Sequence, residues 1–128
     1  MKPTWPLSFL IKYKRDSRYT AWSCCRVVEY HAILDKAATL RMGYERVIRR
    51  PLITIVFDYP LHGEWVMTFC RPTGFTRKDI LACVYKGYCK VYKDVRVYGV
   101  WGHSISDLYL EGLIKTGKPG LYELSMGS

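Results

Sequence analysis

Acid is scarce in this chain: eleven Asp and Glu stand against twenty Lys and Arg, a formal charge of +9. That imbalance favours polyanionic partners, nucleic acid or anionic lipid. Long uncharged runs are missing too. The longest stretch free of Lys, Arg, Asp and Glu is Val97–Ser106, well short of the about 18 apolar residues that a membrane span needs. The apolar Pro6–Ile11 is too brief for a secretory leader and stops at Lys12, so the expectation is a protein that is not secreted. Among Cys24, Cys25, Cys70, Cys83 and Cys89 there is no C-x-x-C. An odd count with an adjacent pair argues against a disulfide framework and for a reducing compartment, with cysteines used for packing. His31, His62 and His103 lack metal-ligand spacing to them, so no metal and no cofactor is expected. Gly112, Gly117 and Gly120 form neither a phosphate-binding loop nor a dinucleotide fingerprint, and no serine sits in G-x-S-x-G.

What is present is enough for one folded domain over 1–128. Apolar residues make up 49% of the chain and aromatics 15%, which excludes intrinsic disorder. The charge is unevenly spread. Residues 1–50 hold eleven basic and four acidic side chains; residues 71–96 hold seven and two. Between them, residues 51–70 hold no base and two acids, and residues 97–128 hold two bases and three acids.

Residues 1–20 read as a possible edge strand over Leu7–Tyr13 followed by a basic arm, Lys12, Lys14, Arg15 and Arg18. Apolar residues at 27, 30, 34, 37 and 38 suit an amphipathic helix over Cys24–Arg41 with Gly43 as its stop, although Val27, Val28 and Tyr30 also suit a strand. Arg49-Arg50-Pro51 leads into alternating Leu52–Tyr59. A Gly-containing connection joins it to Glu64–Cys70, the signature of an antiparallel hairpin.

Thr76 then opens a helix over about 76–92, with Asp79 three residues on to complement its positive end and Phe75 and Ile80 at staple positions. On a helical wheel, Lys78, Lys86, Lys90 and Lys93 share one side while Ile80, Leu81, Val84, Tyr85, Tyr88, Val91 and Tyr92 share the other. Gly87 in the helix interior costs about 1 kcal/mol against alanine, which suggests close approach by another backbone. A second hairpin follows over 108–126, turning at Lys115–Gly120, with a short helical turn at Ser104–Tyr109 as the competing reading. The expected class is α+β: an antiparallel sheet of hairpins, one amphipathic helix packed on a face, and an N-terminal helix.

The strings GFTRKDILACVYKGYCKVYKD (Gly74–Asp94), YGVWGHSISDLYLEGL (Tyr98–Leu113) and LYELSMGS at the end resemble a group of uncharacterised proteins of marseillevirus-type giant DNA viruses, with relatives in fungi and plants. The likeness covers about the last 80 residues, and the pattern around Trp101-Gly102-His103 is its most distinctive part. It carries no chemistry and no catalytic residue. It implies a setting: a viral protein in host cytoplasm or in the virion, where basic packaged proteins accompany the genome.

His103, Ser104 and Asp107 are the nearest thing to a hydrolytic set, yet adjacency in sequence does not make a triad, and capping explains them better. Cys70 with His103 is a weaker thiolate pair. The preferred reading is a non-enzymatic protein that holds nucleic acid by backbone electrostatics with low sequence specificity. Its contacts would be Lys78, Lys86, Lys90 and Lys93 on the helix, with Lys12, Lys14, Arg15, Arg18, Arg46, Arg49 and Arg50. Tyr98 and Trp101 in a glycine-bordered loop are candidates for stacking on bases. The alternative is a structural or protein-interaction module that forms a homodimer through exposed sheet edges, with no nucleic-acid role. Neither reading involves a membrane or a small-molecule substrate.

Overall fold

The computed structural model describes residues 2–14 and 21–128. In chain order the strands are β1 (Leu7–Ser8), β2 (Leu10–Tyr13), β3 (Ser23–Arg26), β4 (Ala38–Leu40), β5 (Arg46–Ile48), β6 (Leu52–Phe57), β7 (Trp65–Cys70), β8 (Phe75–Thr76), β9 (Tyr109–Lys115) and β10 (Leu121–Gly127). The helices are α1 (Tyr30–Leu34), α2 (Arg77–Lys93) and α3 (Val95–Tyr98). The protein is mixed α and β, with one large, mainly antiparallel sheet in the order β4-β2-β3-β9-β10-β6-β7, β1 pairing beside β9, and a small β5-β8 ribbon. Among the described residues, no helix is long and apolar enough to cross a membrane.

Alternation decides which face of β6 is buried. Ile53, Ile55 and Phe57 are almost wholly inaccessible, and α2 lies against them. Along α2, Ile80, Leu81, Val84, Tyr88 and Val91 are buried, about 1.5–3 kcal/mol of burial for each such side chain. The Tyr88 ring meets Phe57 edge-on at 5.2 Å, and its hydroxyl donates to the Tyr59 carbonyl at 2.6 Å. That buried hydroxyl is thereby satisfied, and burial pushes the phenol's pKa well up. Thr76 starts α2 by accepting from the Asp79 N–H at 3.1 Å, while the Asp79 carboxylate accepts from the Thr76 N–H at 2.9 Å. Cys25 and Cys83 are core residues whose thiols burial pushes up to about 12 and about 11.

Four sequence expectations need correction. The helix over Cys24–Arg41 is not there. That stretch holds β3, a single 3₁₀ turn at Val27–Glu29, the five-residue α1, and β4. Apolar spacing fits both periods here, and ladder pairing to β2 and β9 takes Ser23–Arg26. Lys36, at φ 61, takes the chain out of α1, and Ala38–Leu40 returns to pair with β2. Gly43 therefore closes a turn after β4 rather than a helix.

Leu7–Tyr13 is not one continuous edge strand. It is split at Phe9, β1 pairing with β9 and β2 lying between β3 and β4. The sheet is not wholly antiparallel either, because β10 runs parallel to β6 and so joins the two hairpins side by side. Finally, what comes close to Gly87 is a side chain, the Phe57 ring, and not a backbone.

Candidate nucleic-acid interface

Because β6 and β10 are parallel, they begin at the same end of the sheet, where β9 finishes. Arg49 and Arg50 immediately precede β6; Lys115 ends β9; Lys118 sits in the turn before β10. The turn is fixed from within. Thr116 Oγ1 accepts from the Lys118 N–H at 3.1 Å, its hydroxyl reaches the Leu121 carbonyl at 2.9 Å, and the Thr54 N–H donates to the Gly120 carbonyl at 2.8 Å. Gly120, at φ +78, lies so near Arg50 that a Cβ there would come within 3.1 Å of the guanidinium. Arg50, Lys115 and Lys118 thereby line one cleft of about 240 Å³ with Tyr122. The Lys115 ammonium stands 4.6 Å from the centroid of the Trp5 ring, which itself stacks on Tyr122 at 5.5 Å.

A second group gathers beside the start of α2. Lys14, Lys36 and Lys78 line a cleft of about 190 Å³ with Tyr44. The Lys78 ammonium lies 5.3 Å from the Tyr44 ring centroid, and the Lys78 backbone N–H donates to the Gly43 carbonyl at 3.0 Å. Arg46 on β5 pairs in register with Thr76, and the Gly74 backbone packs on Ile48 and Arg49, so Arg46 and Arg49 flank the same helix end. Both are exposed. From there Lys86, Lys90 and Lys93 continue along the exposed side of α2.

Cations that serve the fold are marked by their acids. Arg77 is buried, its Nη1 3.0 Å from Glu45 and its Nε donating to the Ser8 carbonyl at 3.2 Å. Arg71 meets Asp79 at 3.0 Å, and Arg26 meets Glu29 at 3.5 Å. Among the described residues, no acid lies within ion-pair distance of Lys12, Lys14, Arg46, Arg49, Arg50, Lys78, Lys86, Lys90 or Lys93, nor of Lys36, Lys115 or Lys118. The N-terminus of α2 is not itself an open anion site, because Thr76 and Asp79 occupy its amides.

Lys12 stands apart. It is half-buried on the sheet face opposite Ile11, with its ammonium 5.8 Å from the Trp22 ring centroid. Arg15 and Arg18 lie outside the described residues. Tyr98 and Trp101 are at the far end of β6, about 20 Å of strand from Arg50. Their rings pack on other aromatics, Tyr98 on Trp65 at 4.7 Å and Trp101 on Tyr59 at 5.6 Å. The loop that carries them is pinned by the Trp101 N–H to Pro60 and by the His62 N–H to Gly99, both at 2.9 Å. The structure thus does not bring the stacking candidates to the basic clefts.

His103, Ser104 and Asp107 do not converge as a triad. Asp107 accepts from the Ser104 N–H at 3.0 Å and from its hydroxyl at 3.1 Å, capping a 3₁₀ turn at Ile105–Asp107. Those hydrogen bonds, the backbone one foremost, hold the Asp107 carboxyl below its ordinary range. The His103 ring faces Ser128 at 3.3 Å, and its carbonyl accepts from the Tyr92 hydroxyl. Cys70 ends β7 beside Leu52, at the opposite end of the hairpin from His103.

Lys36, Tyr44, Lys115, Lys118 and Trp5 are the participants that sequence reasoning misses. The turn pattern at Lys115–Lys118 marks a hairpin, but only the parallel β6–β10 pairing sets it beside Arg50. Compared with protein-family models, curated proteins and solved structures, the chain matches none.

Proposed function

We propose that this is a non-enzymatic protein that binds nucleic acid through its phosphate backbone, with low sequence specificity. The observation that supports it most is the meeting of Arg50 with Lys115 and Lys118, from two distant parts of the chain, in one cleft that no acid lines among the described residues. Cations brought together against their own repulsion, while Arg26, Arg71 and Arg77 are each given a carboxylate, suit a surface that receives charge from outside. The cleft at Lys14, Lys36 and Lys78 and the exposed lysines of α2 extend that surface. Ammonium groups so spaced follow phosphates and read no bases. In the viral setting that the resemblance implies, the protein would accompany the genome in the virion or in host cytoplasm.

The test is binding to a mixed-sequence duplex at low salt. A complex is expected, and Lys86→Glu with Lys90→Glu should weaken it to the same degree on unrelated sequences. Absence of any complex at low salt would dispose of the reading, and an unchanged affinity would remove α2 from the footprint.

A further inference from the structure

The two ends of the main sheet are not alike. At one, β4 has three residues; at the other, β7 has six and, among the described residues, pairs only with β6. The direction of β7's outer groups follows from its neighbours. Thr54 on β6 sends its N–H to Gly120, towards β10, so Ile53, Ile55 and Phe57 must turn theirs to β7. They are in register with Phe69, Met67 and Trp65, and the Arg71 N–H continues the pattern by donating to Pro51 at 2.7 Å. Val66, Thr68 and Cys70 therefore point their backbone N–H and C=O groups outward, away from the sheet.

Folded proteins usually blunt such an edge with a lysine, a proline or a bulge. Trp65–Cys70 contains none of these: its register with β6 is unbroken, its sequence is WVMTFC, and Val66 is 64% exposed.

We propose that β7 pairs antiparallel with β7 of a second copy, about a two-fold axis at Thr68. In that register Thr68 faces Thr68, and Val66 faces Cys70, each pair exchanging backbone hydrogen bonds. On the helix-bearing side Met67 faces Phe69, and Trp65 faces Arg71. The half-exposed Arg71 guanidinium is thus set over an indole, twice by symmetry. Glu64 falls opposite Pro72, whose missing N–H ends the ladder. No like charges face one another. Sliding the centre to Met67 would set Glu64 against Cys70 and leave Arg71 opposite Gly63. A self-complementary apolar row, cation–aromatic pairing of Arg71 with Trp65 and the absence of opposed like charges are what select a copy of this chain as the occupant. The pairing is independent of the phosphate surface, because no residue of β7 lines the basic clefts.

Thr68 is exposed and its backbone groups face outward, so a charge there spares the β6–β7 ladder and forfeits only the surface contact with the Thr54 hydroxyl. By sedimentation, the wild-type chain should run at twice its own mass at micromolar concentration. Thr68→Lys and Thr68→Glu each oppose like charges at the axis and should run as monomers. Mixed in equal amounts they should recover the double mass, since Lys then faces Glu. A monomeric wild type overturns the pairing without recourse to any variant. So does a variant that stays dimeric alone, or a mixture that stays monomeric.

Discussion

At Gly87 the helix α2 lies hard against the Phe57 ring of β6. A Cβ there would sit 2.3 Å from Phe57 Cζ and 2.6 Å from Cε1, and Phe57 is itself fully enclosed. In an exposed helix, alanine for glycine gains about 1 kcal/mol. Here the clash should win, and Gly87→Ala should lower the free energy of unfolding by about 1–3 kcal/mol, read by chemical denaturation. Phe57→Leu added to it should restore part of the loss; a gain in stability from Gly87→Ala alone would contradict the contact. The sequence shows that something must approach Gly87, because a glycine amid an otherwise regular helical pattern has a cost to offset. It does not show what. A helical wheel orders residues around one axis and carries no information about the ring that fills the gap on the other side.

Among the elements, α2 and the β6–β7 strand pair were the more legible, each having a complete local signature. The Thr76–Asp79 spacing, the staple residues and the two-sided wheel all agree on α2, and the cap carries measurable weight. Thr76→Ala removes the acceptor of the Asp79 N–H and should cost about 1 kcal/mol, measured as a lower denaturation midpoint at unchanged cooperativity. An unchanged midpoint would mean that pairing of β8 with β5, and not the cap, sets the helix start. Ser23–Leu40 was not legible. Val27, Tyr30 and Leu34 satisfy a helical period, yet Leu34 is 48% exposed and Val27 is wholly buried, because they belong to different short elements. The left-handed backbone at Lys36 that ends α1 leaves no trace in a hydrophobic pattern. Parallel pairing of β6 with β10 is equally silent, since it joins strands separated by β7, β8, α2, α3 and β9.

For the whole molecule, regional charge located the excess but misjudged its geography. Residues 97–128 are slightly acidic in sum, and yet Lys115 and Lys118 join Arg50 in the cleft on which the proposed phosphate binding chiefly rests. The aromatic end is arranged differently: Tyr59, Trp101 and His103 pack together and Trp65 packs on Tyr98, with Asp58, Glu64 and Asp94 in the adjoining turns. The Arg50 cleft and these rings thus occupy opposite ends of β6. The most direct measurement is the slope of log affinity for a mixed-sequence duplex against log salt. If five or so phosphates are held, the slope should be about −4 to −5, and Arg50→Glu with Lys115→Glu and Lys118→Glu should flatten it by about 2 to 3. A wild-type slope near zero, or a slope that the triple substitution leaves unaltered, would contradict the account.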